Sequence, residues 1–391
     1  MSPLDDLRIV DFSRFLPAAY ASWIAADMGA DVIRIEHPRE LRKQEEMFGR
    51  SADEGAALRA RARPSFTRNK RSLLINPGAT ASRPVLEKLI RESDVLIEDY
   101  RPGVMARMGY GYEEMAALNP RLIYLSVSLA GQTGPLAGRA GHDPLALSLA
   151  GALTRLNGQS RPALPGLQVA DPMAGAHAVT ALLLALRARD RFGRGEHIDI
   201  AMSDASLPLL LVSMARFDDL DDLPPPGVWH PKGGVWECSD GKYICTTDME
   251  PAYWRRFCEA IGRPDLAALQ HDRSQHPRIE AELAQLFRTG TRDEWFALLS
   301  AADTQSMPVL TPAEAVEHPH NVARGMIVDV PVDGQEPVRQ LGLPFKLSEN
   351  QPVEPVAAGL PGSDTSSILS ELGFDEATLH EAGAFDSETS R

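Results

Sequence analysis

Four short segments carry residue types suited to acid–base or nucleophilic chemistry. The stretch Gly131-Gln-Thr-Gly-Pro-Leu-Ala-Gly-Arg-Ala-Gly141 has glycines at 131, 134, 138 and 141, which let backbone approach a ligand closely. It runs directly into His142-Asp143-Pro144. Histidine titrates nearest neutral pH, so His142 is a candidate general base, with Asp143 or another carboxylate fixing its tautomer. The same pair at a helix N-terminus also reads as a plain cap. Asp171, in Val169-Ala170-Asp171-Pro172, opens a long apolar helix, where an N-cap aspartate with proline at the first helical position is also ordinary structure. Glu250, in Thr246-Thr247-Asp248-Met249-Glu250-Pro251, ends a strand and precedes a helix, so it also reads as a first-turn acid favoured by the helix dipole. On residue types alone, the structural reading leads at His142 and Asp171 and stands beside the functional one at Glu250.

Several chemistries lack their motifs. The sequence has no G-x-S-x-G elbow, no Walker loop and no H-E-x-x-H, which leaves serine-hydrolase, nucleotide-hydrolase and zinc-protease readings without support. His318-Pro319-His320 is too isolated to argue for a metal, and Cys238, Cys245 and Cys258 form no C-x-x-C pair, so they read as reduced packing residues. A formal charge of −14 argues against nucleic acid, whose binding needs a broad basic face. A small anion needs only a local cluster. Arg68-Asn69-Lys70-Arg71, with Arg101 and Arg107 further on, is such a cluster, the alternative being a solvated positive face. No apolar stretch approaches bilayer length and the N-terminus has no basic n-region, so a soluble, cytoplasmic protein is expected.

The elements that must position these residues follow from periodicity. At 391 residues and 43% hydrophobic, the chain is expected to bury a large core and fold as two domains. Strands are predicted at 7–11, 31–36, 72–76, 94–98, 122–128 and 197–202, with helices at 19–28, 84–91, 112–118 and 172–189 between them. This alternation predicts an α/β fold with a parallel, doubly wound sheet and helices on both faces. Phe12-Ser-Arg-Phe-Leu-Pro-Ala18 stands where a dinucleotide fold would place G-x-G-x-x-G, so a nicotinamide or flavin site is disfavoured. The acidic, proline-rich stretch within 217–232 reads as a linker after a first domain over 1–216. A smaller α+β domain over 233–320 is predicted from a hairpin, 234–237 with 242–246, and helices over 252–261, 278–288 and 291–301. Beyond it, 325–332 and 338–347 read as strand and loop, followed by a mostly polar tail.

Taken in order, Leu7-Arg-Ile-Val-Asp11-Phe-Ser, Met28-Gly-Ala-Asp-Val-Ile-Arg-Ile-Glu36, Asn69-Lys-Arg-Ser72, Asp94-Val-Leu-Ile-Glu-Asp-Tyr-Arg-Pro-Gly-Val104, Asn119-Pro-Arg-Leu-Ile-Tyr124, Gly131-Gln-Thr-Gly-Pro135 and Gly193-Arg-Gly195 resemble the type III CoA-transferase family. Within it, Ala140-Gly-His-Asp143 and Met249-Glu-Pro-Ala-Tyr253 resemble the α-methylacyl-CoA racemases. The resemblance implies a Rossmann-like large domain completed by the C-terminal segment (321–391), a smaller α+β domain, and an interlocked homodimer. It implies CoA phosphates near loops matching His37, Ile75-Asn76-Pro77-Gly78, Asp99-Tyr100-Arg101 and Arg107, and a thioester near Ala140, Gly141, His142 and Asp143. In the transferases the aspartate matching Asp171 attacks acyl-CoA to form a mixed anhydride. In the racemases that aspartate and the histidine matching His142 face opposite sides of the α-carbon, and the glutamate matching Glu250 supports the histidine.

Because the chain carries all three residues, the expected activity is epimerisation of 2-methylacyl-CoA thioesters by His142 and Asp171. Inversion through an enolate needs one base on each face, and backbone N–H groups at a helix N-terminus can steady the thioester oxygen. The alternatives are CoA transfer through Asp171 and a CoA-binding protein without chemistry. Acyl-CoA is the expected small-molecule partner; no metal, redox cofactor, nucleic acid or membrane is expected. The chain departs from the family at Pro17-Ala18-Ala19, at Pro172-Met173-Ala174 after Asp171, and at Asn76-Pro77-Gly78.

Overall fold

The computed structural model describes residues 2–48, 53–156, 161–221, 223 and 233–386; most of the expected 217–232 linker lies outside them. The chain forms two compact units, one from Met1–Leu156, Pro162–Leu220 and Gly325–Arg391, the other from Asn157–Arg161 and Asp221–Arg324.

The first unit is built on six parallel strands: β1 (Arg8–Phe12), β2 (Asp31–Glu36), β3 (Lys70–Leu74), β4 (Val95–Glu98), β5 (Ile123–Ser128) and β6 (His197–Ala201). Their order, β3-β2-β1-β4-β5-β6, is that of a doubly wound Rossmann-type sheet. Both faces are covered, which is why the strands are nearly continuous apolar runs. Alternate residues serve opposite layers: Ile9 and Val32 pack under the helices Leu16–Asp27 and Ala170–Phe192, whereas Val10 and Ile33 pack under Arg83–Arg91 and Thr365–Glu371. Among the described residues no helix is long and apolar enough to cross a membrane.

Two sequence expectations change here. The polar tail contains two helices, Thr365–Glu371 and Glu376–Glu381, and its few apolar residues, Ile368, Leu369, Leu372 and Leu379, complete the second layer. Polarity dominated the reading because each short helix shows only one or two apolar residues per turn. The basic run 68–71 is neither a solvated face nor a free anion cradle. Arg68 is buried with Asp27, Lys70 is buried against Asp11 at 3.0 Å and Ser22 at 2.7 Å, and Arg71 pairs with Asp31 and Glu371. Burial pushes the Asp11 carboxyl up, but the Lys70 charge and hydrogen bonds from Ser13 and Ser22 outweigh it and leave it below the usual range. The run therefore neutralises four carboxylates, of which Asp11 and Asp27 are buried.

The long helix Ala170–Phe192 lies so close to Leu16–Asp27 that a Cβ at Gly175 would meet Tyr20 Cβ at 2.6 Å. Gly175→Ala is expected to cost about 1–3 kcal/mol through overpacking, read as a lower urea midpoint with an unchanged slope.

After the second unit the chain returns as an antiparallel pair. In the second unit, β7 (Gly233–Glu237), β8 (Tyr243–Thr247) and β9 (Ser306–Val309) form an antiparallel sheet. Helices Pro251–Ala260, His276–Phe287 and Arg292–Ala301 cover it through Trp236, Trp254, Phe257, Phe287 and Trp295. The edge strand β9 was not legible in the sequence because Pro308 interrupts the pattern, as edge strands tolerate. In the first unit, β10 (Ile327–Val332) pairs with β11 (Gln335–Leu341), so the second strand begins earlier and ends sooner than the 338–347 expectation; Gly334, at φ 67, supplies the intervening turn.

Candidate active site

In this strand order the chain winds away to opposite sides from neighbouring strands β1 and β4, which opens a crevice beyond their carboxyl ends. A cavity of about 400 Å³ occupies that position in the first unit. Arg14 to Pro17, following β1, form one wall; Asp99 to Arg101, following β4, form the next; Val127 to Leu129 close β5. The glycine-rich segment contributes Arg139 to His142, and Gln168, Asp171 and Met202 complete the lining. A Cβ at Gly141 would meet Leu129 Cδ2 at 2.6 Å and Leu145 Cδ1 at 2.8 Å, so a larger residue there would require those two side-chain tips to shift.

Asp171 does not cap its helix. Val169 is the N-cap residue, and Asp171 sits inside the first turn with its side chain turned to the cavity. Among the described residues no group donates a hydrogen bond to its carboxylate. Burial, then the neighbouring Asp143 carboxylate, raise its pKa to about 6, with His142 drawing it partly back. A carboxylate this poorly solvated, yet exposed to a cavity, is a candidate reacting group.

Asp143 serves Asp171 and not His142, contrary to the expectation that it fixes the imidazole. Its Oδ2 accepts the Val169 N–H at 2.7 Å and the Asp171 N–H at 2.9 Å. With the Asp171 N–H taken and Pro172 lacking one, neither can steady a thioester oxygen there. His142 is the N-cap residue of helix Asp143–Leu149 but makes no side-chain cap; its ring stands edge-on to Phe15 at 5.8 Å. Glu250 belongs to the second unit, where it precedes Pro251–Ala260 without capping it and accepts from Gln305 Nε2 at 3.0 Å.

The residues expected near CoA separate into two groups. Asp99, Tyr100, Arg101, Ala140 and Gly141 line the cavity with His142 and Asp171. His37, Ile75, Asn76, Arg107 and Asp143 do not. Asp99 is buried and held by Arg14, whose backbone N–H and Nε donate to it at 2.9 and 3.1 Å; burial raises the Asp99 carboxyl, opposed by that guanidinium. The Arg14 guanidinium also lies 3.9 Å from the Tyr100 ring centre. Arg101 and Arg107 are exposed and have no carboxylate partner among the described residues. The Nδ1 of His37 accepts the Arg39 N–H at 3.1 Å, and burial pushes its pKa down. Ile75 is core, and Asn76 is committed to the C-terminal segment, its Nδ2 donating to Asp386 O at 2.8 Å.

Sequence reading missed Arg14, Phe15, Arg139, Gln168 and Met202. The first two lie in the segment noted only for lacking glycines. It also missed Glu98 behind the cavity: burial raises its pKa to about 7 against hydrogen bonds from Ser126 and the Tyr100 N–H, the latter at 2.7 Å. No spacing rule marks a carboxylate at the end of a buried strand.

The chain matches CoA-transferase family III over residues 4–365. It is 30% identical over 394 residues to a succinyl-CoA:mesaconate CoA-transferase of Haloarcula marismortui, covering 97% of this chain and 98% of that protein. It is also 30% identical over 395 residues to a succinate–glutarate CoA-transferase of Agrobacterium fabrum, covering 96% of this chain and 97% of the other. A crystal structure of a CaiB/BaiF family protein from Brucella suis superposes with a TM-score of 0.79 at 27% identity, covering 95% of this chain and 99% of that one.

Proposed function

Since the chain belongs to CoA-transferase family III, we propose that it moves CoA from an acyl-CoA to a carboxylic acid through an acyl anhydride on Asp171. The observation that carries this reading is the Asp171 carboxylate: buried, facing the cavity and free of donors among the described residues. This replaces racemisation as the leading reading, because the similar proteins bear CoA-transferase names.

In this mechanism an Asp171 oxygen attacks the thioester carbonyl carbon, the C–S bond breaks, and CoA leaves as thiolate. The acceptor carboxylate attacks the aspartyl carbonyl of this anhydride and displaces the donor carboxylate; thiolate then attacks the acceptor's acyl carbonyl, the bond to the Asp171 oxygen breaks, and the new acyl-CoA leaves with the Asp171 carboxylate restored. Splitting the reaction at a covalent intermediate lowers each barrier. Arg139 lines the cavity and lacks a carboxylate partner among the described residues, so it is the cation placed to meet the acceptor acid. Arg101 and Arg107, equally uncommitted, suit the CoA phosphates better than the neutralised 68–71 run. The names of the similar proteins favour dicarboxylic acids as substrates.

Epimerisation is the second reading, favoured by His142 and Asp171 lining one cavity; support of His142 by Glu250 belongs to that reading. An interlocked homodimer is part of the proposal, supported by the exposed Leu183, Leu184 and Phe192 of the long helix, which a partner would cover. Transfer requires the ionised Asp171, so kcat/KM is expected to rise with pH through about 6 and level off above it. Ping-pong kinetics with dicarboxylic acceptors, and inactivation by hydroxylamine only when acyl-CoA is present, are the expected results. Sequential kinetics without hydroxylamine sensitivity would contradict the reading.

A further inference from the structure

We propose that Asp143 is a positioning residue for Asp171: it pins the first turn that carries Asp171, and its negative charge favours the neutral acyl-enzyme over the free carboxylate. The proposal rests on the covalent reading of Asp171 and adds the source of its reactivity.

Asp143 is only 2% exposed, and one of its oxygens, Oδ2, holds both the Val169 and Asp171 N–H groups at 2.7 and 2.9 Å. The end of the glycine-rich segment and the start of the long helix are thereby tied at one atom. The other oxygen, Oδ1, is buried and accepts no hydrogen bond among the described residues. Nor does any lysine or arginine pair with this carboxylate among them. Joining two N–H groups takes a single acceptor oxygen, which an asparagine would supply. The second oxygen and the charge are left over once that structural task is met, and burying them is costly.

The leftover charge acts on Asp171. The titratable groups that act on Asp171 from its surroundings are Asp143 and His142. Across the cavity Arg14 is engaged with Asp99, while Arg101 and Arg139 lie along the lining. The raised Asp171 pKa, due first to burial and next to Asp143, agrees with two carboxylates set against each other. During acylation an Asp171 oxygen bonds to the acyl carbon while the C–S electron pair departs with the CoA sulfur. Asp171 becomes a neutral anhydride and its charge leaves on the thiolate. Repulsion by Asp143 is present before this step and relieved after it, so it favours acylation.

The test is Asp143→Asn, which retains an acceptor oxygen and removes the charge. The acidic limb of kcat/KM is expected to move down by about one pH unit, and the single-turnover rate of CoA release to fall about tenfold, the equivalent of one pKa unit. Hydroxylamine should still trap an adduct. A folded Asp143→Asn enzyme with the wild-type limb and wild-type release rate would overturn the proposal. If that variant does not fold, Asp143→Ser, which also keeps one acceptor oxygen without charge, is read against the same two outcomes. A wild-type limb in the ordinary aspartate range would overturn it as well. Failure of the covalent reading itself looks different, since the wild-type enzyme would then release no CoA and form no adduct.

Discussion

Asp171→Asn is expected to lower the rate of CoA transfer by on the order of a thousandfold or more, with little loss of stability. The amide is nearly isosteric, and no hydrogen bond to the Asp171 side chain exists among the described residues to be lost. The Asp143 bond to the Asp171 backbone N–H is also preserved, so the helix start should keep its geometry. What disappears is the nucleophile. Removing the carboxylate also removes its repulsion with Asp143, so the variant is expected to unfold at equal or slightly higher denaturant. Unimpaired transfer by this variant, in steady-state assays with an acyl-CoA and a dicarboxylic acid, would remove Asp171 from the mechanism.

The second large effect is on stability. Arg68→Met should destabilise the protein by about 3–5 kcal/mol, because it leaves a buried carboxylate without its partner. Arg68 donates to both Asp27 oxygens through Nε, to Gln340 Oε1 at 2.7 Å and to the Leu341 carbonyl at 2.7 Å. Asp27, itself 2% exposed, also takes bonds from Trp23 Nε1 at 2.9 Å and Asn69 Nδ2 at 2.7 Å. One guanidinium therefore joins the end of helix Leu16–Asp27 to β11 of the returning chain. Urea denaturation checks the magnitude. The double variant Asp27→Asn/Arg68→Met is expected to recover part of the loss, since it no longer buries an unpaired charge; an additive double variant would contradict this explanation.

The large sheet was legible because parallel strands buried on both faces leave apolar runs, separated by helices with their own period. Each of its six strands falls within two residues of its expected start. What failed were features set by contacts distant in sequence. The 68–71 run looked free because its partners, Asp27, Asp11, Asp31 and Glu371, lie elsewhere in the chain. The C-terminal helices looked polar because the layer they complete belongs to β-strands some 300 residues earlier, as the bond from Asn76 to Asp386 illustrates.

At the site, residue types alone favoured capping over chemistry at His142 and Asp171. The resemblance singled them out, and the structure places both on one cavity and shows that neither side chain caps its helix. Adjacency in sequence made Asp143 one candidate to orient His142, whereas its carboxylate turns toward the backbone of residues 169 and 171. The choice between racemase and transferase was beyond the motif, since both chemistries use the same aspartate and differ in what a second base or acid does around it.

The central claim, that Asp171 becomes acylated, is tested most directly by intact-protein mass spectrometry. The enzyme is mixed with the CoA thioester of a 2-methyl dicarboxylic acid in deuterated water, without acceptor acid, and quenched. The account predicts a mass gain equal to the acyl group, localised to the peptide carrying Asp171, absent in Asp171→Asn and lost on hydroxylamine treatment. An unmodified enzyme, with deuterium entering the α-carbon of the recovered thioester in a manner that depends on His142, would contradict it and return epimerisation to first place.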